Sequence, residues 1–401
     1  MQYQYPVIKN INDVLFAIEG REEFIIAERN GFKVVNYLVN YVDTFPSVLN
    51  AATEEDRYLA AMRRELRGIK FDFETGDIIC RPLQKFFNLG EKEETRTNMV
   101  DVSKSHLILE KIDGSFIAPF KVRDRMIYGT KMGETNVSRL VDDFVSDKPG
   151  YRDFNDMLIE KGFTPIYEYV GPDNRIVVPY KQRNLILLAI RNMHTGEYTD
   201  YQTMSNMAFG FDIPVVNARK GTVGNMQSLD EMVEEFRALA DVEGYVIRFD
   251  SGYMVKIKAD EYVLKHKVKD SISQEKNLVE LIFSEKVDDV YATLDQADVD
   301  KVKIYADSVL GHALDLAGKL KLIVTLAKEA VGDDKKRFAC EIVPKHREYS
   351  SLLFTLWEGK DAWKSIQDCV LKNCQTQTKI DKMRHILGDM LWKDIYTSNL
   401  E

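Results

Sequence analysis

Residues 106–115 read HLILEKIDGS, and this run decides how the chain is organised. His106 to Ile112 is apolar enough for a buried strand, and it stops at the turn pair Asp113-Gly114. Lys111 therefore stands at a strand end. A lysine that attacks as a nucleophile must shed its proton near neutral pH, and burial and neighbouring cations both favour the neutral amine. The Asp-Gly turn is expected to bring a carboxylate beside that amine. Alone, a Lys-x-Asp-Gly run says little, because surface turns produce it by chance.

Outward from this run, strands and helices alternate. Phe24 to Glu28 and Phe32 to Tyr41 are β-rich and flank Asn30-Gly31, a hairpin signal. Thr53 with Glu54-Glu55 predicts a helix start. A second hairpin is expected over Ile69 to Phe73 and Ile78 to Arg81. Strands follow at Phe116 to Val122 and Met126 to Thr130, then helices near Val137 to Val145 and Phe154 to Lys161. Strands are expected again at Pro165 to Val170, Ile176 to Val178, Leu185 to Arg191, Tyr245 to Phe249 and Tyr253 to Lys258. A helix near Leu229 to Leu239 interrupts them. This is an α+β pattern with antiparallel sheets. From about Asp260 the apolar period becomes 3.6, through Leu278 to Phe283, Val302 to Leu314, Leu352 to Trp357, Trp363 to Leu371 and Ile386 to Ile395. The expected division is 1–265 and 266–401, the second part all helical.

Three further runs repeat the chemistry of the first. Glu168 sits between aromatics in Tyr167-Glu168-Tyr169-Val170. Glu243-Gly244-Tyr245-Val246 opens a strand with an acid and a glycine that permits close backbone approach. Lys256-Ile257-Lys258 alternates, so both lysines share one strand face. Such a pair is usually a solvated face. Here the order of the four runs, Lys-x-Asp-Gly, acid in an aromatic strand, Glu-Gly-x-Val and Lys-x-Lys, is that of the covalent nucleotidyltransferases, the ATP-dependent ligases and mRNA capping enzymes.

Flanking residues narrow the resemblance. Glu65-Leu66-Arg67-Gly68-Ile69, Arg81 to Asn88, Leu187 to Arg191 and Lys256 to Val263 resemble the RNA ligase 1 family, the tRNA-repair ligases typified by T-even bacteriophages. That resemblance implies an antiparallel-sheet adenylyltransferase domain over 1–265 and an all-α RNA-specificity domain over 266–401. It implies that ATP adenylates Lys111, that AMP passes to an RNA 5′-phosphate, and that a 3′-hydroxyl then closes the phosphodiester. Asp113 and Ser115 would shape the nucleophile's surroundings. Arg67, Lys85 and Lys131 match positions that grip the triphosphate. Glu168 and Glu243 would hold Mg²⁺, or Mn²⁺ in its place, through water. Lys256 and Lys258 would contact the AMP phosphate and favour the neutral nucleophile. Asp288-Asp289 resembles an acidic pair able to bind a second cation. Ile112 departs from the family pattern, in which an acid often occupies that place.

Composition sets the outer bounds. The chain has 401 residues, a net charge of −9 and four scattered cysteines. Neither a disulfide framework nor a Cys-x-x-Cys zinc site is expected, and no membrane span or signal peptide is read, so a cytoplasmic location, that of a host if the protein is viral, is expected. Walker and Rossmann loops, HExxH and GxSxG are missing from the sequence. The expected partner is RNA with 5′-phosphate and 3′-hydroxyl ends, tRNA by resemblance. A monomer is expected, with end-healing kinase and phosphatase supplied by another protein. The rivals are a DNA ligase, a capping guanylyltransferase and a catalytically silent RNA-end-binding protein. The first two families typically follow the last lysine run with a β-barrel, whereas helices are expected here.

Overall fold

A computed structural model describes residues 4–41, 43–49, 51–220, 228–291 and 293–396. Two compact units divide the chain at Val263/Leu264. The first is α+β and the second contains helices only among its described residues.

Three sheets build the first unit. Strands Phe24–Arg29, Phe32–Tyr37, Ile69–Asp72 and Ile78–Cys80 lie in chain order, all antiparallel. The first turn is the expected Asn30-Gly31, with Gly31 at a φ of +86°. A second sheet runs Asn184–Asn192, Phe163–Val170, Ser115–Val122, Arg125–Gly129. The third runs Ala218–Lys220, His106–Glu110, Gly244–Phe249, Met254–Lys258, Phe87–Asn88. Its last pairing is parallel, a two-residue exception to the antiparallel expectation. Leu109, Ile112, Val170, Val216, Val246 and Met254 form a buried cluster drawn from strands of the second and third sheets and the loops beside them. The apolar Ile112 thus packs in the core immediately beside Lys111.

Several elements differ from expectation for identifiable reasons. Ile176 to Val178 is a loop, because the amide groups of Val177 and Val178 donate to the Asp113 carboxylate instead of to a neighbouring strand. The expected strand to Tyr41 stops at Tyr37. The helix Tyr201–Phe209 was not expected; Asp200 caps it by accepting from the Thr203 amide at 2.9 Å. In the second unit the helix Gln296–Val331 is far longer than its predicted portion and buries Val302, Tyr305, Val309, Ala313 and Leu320 completely. Ile386 to Ile395 is not one helix. Gly388, at a φ of +84°, separates the short turns Arg384–Leu387 and Trp392–Ile395.

One carboxylate ties the first unit together. Glu65, at the end of the helix Glu54–Glu65, accepts from Arg81 Nε at 3.0 Å and from Arg191 Nη2 at 2.8 Å, all three side chains being fully buried. Arg81 also donates to the His194 and Pro6 carbonyls, and Arg191 to those of Gly196 and Pro82. Burial opposes ionisation of Glu65, yet the two guanidinium groups hold its carboxyl below the usual range. Replacing Glu65 by Gln leaves two buried cations without a counterion, so unfolding free energy should fall by about 3–5 kcal/mol. Because its folded pKa is depressed, the Glu65 contribution is present above the ordinary carboxylate pKa and lost as pH falls below it. Denaturant titration of Glu65→Gln at pH 7 checks this; a loss under about 1 kcal/mol contradicts it.

Candidate active site

The third sheet carries the nucleophile candidate. Lys111 follows the strand His106–Glu110, and its amide donates to the Gly244 carbonyl at 2.9 Å. Its side-chain Nζ donates to Glu243 Oε2 at 2.6 Å, and Lys258 Nζ lies 2.9 Å from the other oxygen, Oε1. Gly244 makes this possible. It has a φ of +141°, and a Cβ there would strike the Ile257 carbonyl, so only glycine lets the strands close beside Glu243. Register pairs Gly244 with Lys258 and Val246 with Lys256, which puts both lysines on one face, as the alternation implied.

Asp113 does something other than expected. The carboxylate beside the Lys111 amine belongs to Glu243. Asp113 Oδ2 accepts from the Val177 and Val178 amides at 2.8 and 2.7 Å, and Oδ1 accepts from the Tyr262 hydroxyl at 2.7 Å. Ser115 Oγ donates to Asn174 Oδ1 at 3.1 Å, and Asn174 in turn donates to the Tyr169 carbonyl. The two residues flanking the nucleophile run therefore shape the 171–180 loop as its wall. Tyr262 completes that wall, with the Lys258 ammonium 4.9 Å from its ring centre.

Around this pair gather further cations. Arg67 lies 5.8 Å from the Phe116 ring centre, and Lys85 Nζ is 3.5 Å from the Tyr37 hydroxyl. Lys131 Nζ lies 5.0 Å from the Tyr37 ring centre. Burial pushes the Tyr37 phenol up, but Lys85, Arg67 and Lys131 together hold it below its ordinary value. Sequence reasoning missed Tyr37, since nothing local marks a tyrosine whose partners lie at 67, 85 and 131. Lys256 is pushed down to about 7, first by burial and then by Lys111, Lys85 and Arg67. Among the described residues no ion pair neutralises Arg67, Lys85 or Lys256.

The two acids behave oppositely. Glu243 is held below the usual carboxylate range, its burial outweighed by Lys111 and Lys258. Glu168, opposite Phe116 in the second sheet, is pushed up to about 8. Burial is the largest cause; Glu243 and Asp113 add to it, while Lys111 and Arg67 oppose it. Two acids within each other's field suit a hydrated Mg²⁺ or Mn²⁺ that takes its remaining ligands from water and phosphate. They do not suit a closed protein cage, and no group of three His, Cys, Asp or Glu converges among the described residues. Asp288 and Asp289 stand in the first turn of the five-residue helix Val287–Tyr291, in the helical unit.

A family model described as RNA ligase matches residues 65–271, and that of the T4 RNA ligase 1 C-terminal domain matches 269–381. A putative RNA ligase of Thermovibrio ammonificans is 30% identical over 346 residues, covering 81% of this chain and 85% of that protein. An RNA ligase of Rhodothermus phage RM378 is 25% identical over 398 residues, covering 78% and 90%. Among solved structures, an archaeal ATP-dependent RNA ligase aligns with a TM-score of 0.44 and 13% identity, covering 65% of this chain and 64% of that one. On the match over 65–271 and the kinship along most of both chains, this protein belongs to the RNA ligase family.

Proposed function

We propose that this ligase joins RNA ends through a covalent lysyl-AMP on Lys111, using ATP. The observation that carries the reading is the set of unneutralised cations, Arg67, Lys85 and Lys256, around a strand-end lysine. Such a site is built for phosphate. The Lys111 amine attacks the α-phosphorus, a P–N bond forms, and pyrophosphate leaves with the electrons of the broken P–O bond. The AMP then passes to an RNA 5′-phosphate, whose oxygen displaces Lys111. A 3′-hydroxyl finally displaces AMP and forms the phosphodiester. Each step is displacement at phosphorus, so positioning and charge neutralisation matter more than acid–base chemistry.

In this reading Arg67, Lys85 and Lys131 hold the pyrophosphate end, and Lys256 and Lys258 hold the α-phosphate. Glu243 keeps Lys111 paired until the nucleotide arrives, since the amine can attack only once that contact breaks. Glu168 and Glu243 would hold Mg²⁺ or Mn²⁺, which when bound neutralises phosphate charge. Incubating the protein with each labelled nucleoside triphosphate and running a denaturing gel tests the whole scheme. A covalent AMP is expected on the native chain and none on Lys111→Ala; a labelled Lys111→Ala protein would overturn the nucleophile assignment.

Lys256 gives a pH signature. With a pKa near 7, it is mostly neutral at pH 8 and mostly charged at pH 6. A bound phosphate favours its charged form, so metal-free ATP binding should take up protons at pH 8 and take up fewer at pH 6. Calorimetry in buffers of different ionisation enthalpy measures this. Lys256→Ala should lower the uptake at pH 8 and slow adenylation by roughly 10²–10³-fold. Equal uptake in the variant would refute the role.

The proposed RNA is a cleaved tRNA, recognised by the helical unit. The match of 269–381 to the T4 RNA ligase 1 C-terminal domain supports this. That unit has its own hub, Glu275, which accepts from Arg384 at 2.9 and 2.6 Å, from Tyr305 at 2.6 Å and from Gln377 at 2.6 Å. Glu275→Ala should destabilise the helical unit by about 3 kcal/mol while sparing the first unit. The expected result is an undiminished Lys111 adduct with loss of preference for nicked tRNA over linear RNA. An unchanged preference alongside a measured loss of helical stability would count against tRNA recognition there.

A further inference from the structure

Two lysines are buried in the described structure, and they are treated differently. Lys269 in the helical unit meets Asp295 at 3.2 Å and Asp298 at 2.9 Å. Lys70, on the strand Ile69–Asp72, is 0% exposed and pairs with no carboxylate among the described residues. Its surroundings are apolar: Val34 lies opposite it in register on one side and a protonated thiol, Cys80, on the other, and the Phe120 ring centre is 5.3 Å from Nζ. Burial pushes Lys70 below its ordinary value. A methionine would fill this space without the desolvation penalty, so the lysine is not there for stability.

The one polar contact of Lys70 among the described residues identifies its work. Nζ donates to the Gly68 carbonyl at 2.9 Å, which it can do whether charged or neutral. Gly68 is the corner on which two triphosphate-gripping candidates meet. Arg67 precedes it, and its own amide is tied to the Val35 carbonyl at 3.0 Å. Its φ is +83°, and a Cβ there would strike the Lys131 carbonyl, so the Lys131 backbone rests directly on it. The Val35 carbonyl thus holds the Gly68 amide, and Lys70 holds the Gly68 carbonyl.

We propose that Lys70 is a positioning residue for the nucleotide's triphosphate, its buried amine locking the Gly68 corner so that Arg67 and Lys131 are preset to receive the pyrophosphate end. This rests on the lysyl-AMP reading above. The role is confined to the step that uses a triphosphate. Sealing of RNA that already carries a 5′-adenylate needs no pyrophosphate grip and is independent of Lys70.

The test compares Lys70→Met and Lys70→Gln with the native chain. Lys70→Met should melt at or above the native temperature and raise the KM for ATP in adduct formation about tenfold, as for loss of one strong hydrogen bond. Its kcat should stay within about twofold, and sealing of pre-adenylated RNA should be unchanged. Lys70→Gln, whose amide can still donate to Gly68, should recover most of the KM. Any one of three results overturns the proposal: a native KM in Lys70→Met, equal losses in adduct formation and pre-adenylated sealing, or an unfolded Lys70→Met. A native chain that takes no label would instead overturn the lysyl-AMP reading itself.

Discussion

Like charges held together without enough counter-charge are the constraint on which this structure turns. Glu243 is the carboxylate paired with both Lys111 and Lys258, and Arg67, Lys85 and Lys256 have none among the described residues. Two like charges a few ångströms apart repel by roughly 3 kcal/mol even in a fairly polar protein medium. That repulsion has to be offset by the frame. The paired strands Gly244–Phe249 and Met254–Lys258 fix two of the lysines, and the buried Glu65 junction with Arg81 and Arg191 fixes the helix end just before Arg67. A bound anion offsets that repulsion.

The frame also separates the residues of each run that face the charge cluster from those that build walls. Lys111 and Asp113 are two positions apart, yet Lys111 pairs across the sheet to Glu243 while Asp113 faces the 171–180 loop and Tyr262. Asp113 satisfies two loop amides and a phenol at once. Those donors sit beside a buried tyrosine and the core residue Val177, where an unmet amide would be costly. The acid in the nucleophile run is architectural.

Contiguous runs were legible in the sequence for a physical reason. A strand end, a tight turn and an alternating lysine pair are set by neighbours in the chain, so Lys111, Glu168, Glu243, Lys256 and Lys258 could be named as candidates from spacing and resemblance. What could not be read depends on partners far away. Tyr37 matters through residues at 67, 85 and 131, and the pairing of Glu243 with two lysines needs the sheet register. The β-branched run Ile176 to Val178 looked like a strand because propensity ignores a distant carboxylate that takes its amides. Ile386 to Ile395 looked like a helix because its apolar period survives the reversal at Gly388. Lys70 looked like an ordinary alternating strand residue, since nothing in its run signals that the side chain is wholly enclosed.

Burial acts on every charge in the site, and the outcome depends only on whether a partner is at hand. Glu243 has two ammonium partners and stays ionised. Glu168 has no such pair and keeps its proton up to about pH 8; Lys256 has no carboxylate and loses its proton from about pH 7. Burial thus limits the repulsion within the site by neutralising the unpartnered groups of both signs. A phosphate breaks that symmetry. It is a partner for Lys256, so its arrival restores the positive charge there. The same low-polarity surroundings that discourage an unpartnered charge therefore strengthen the pairing of Lys256 with a bound anion.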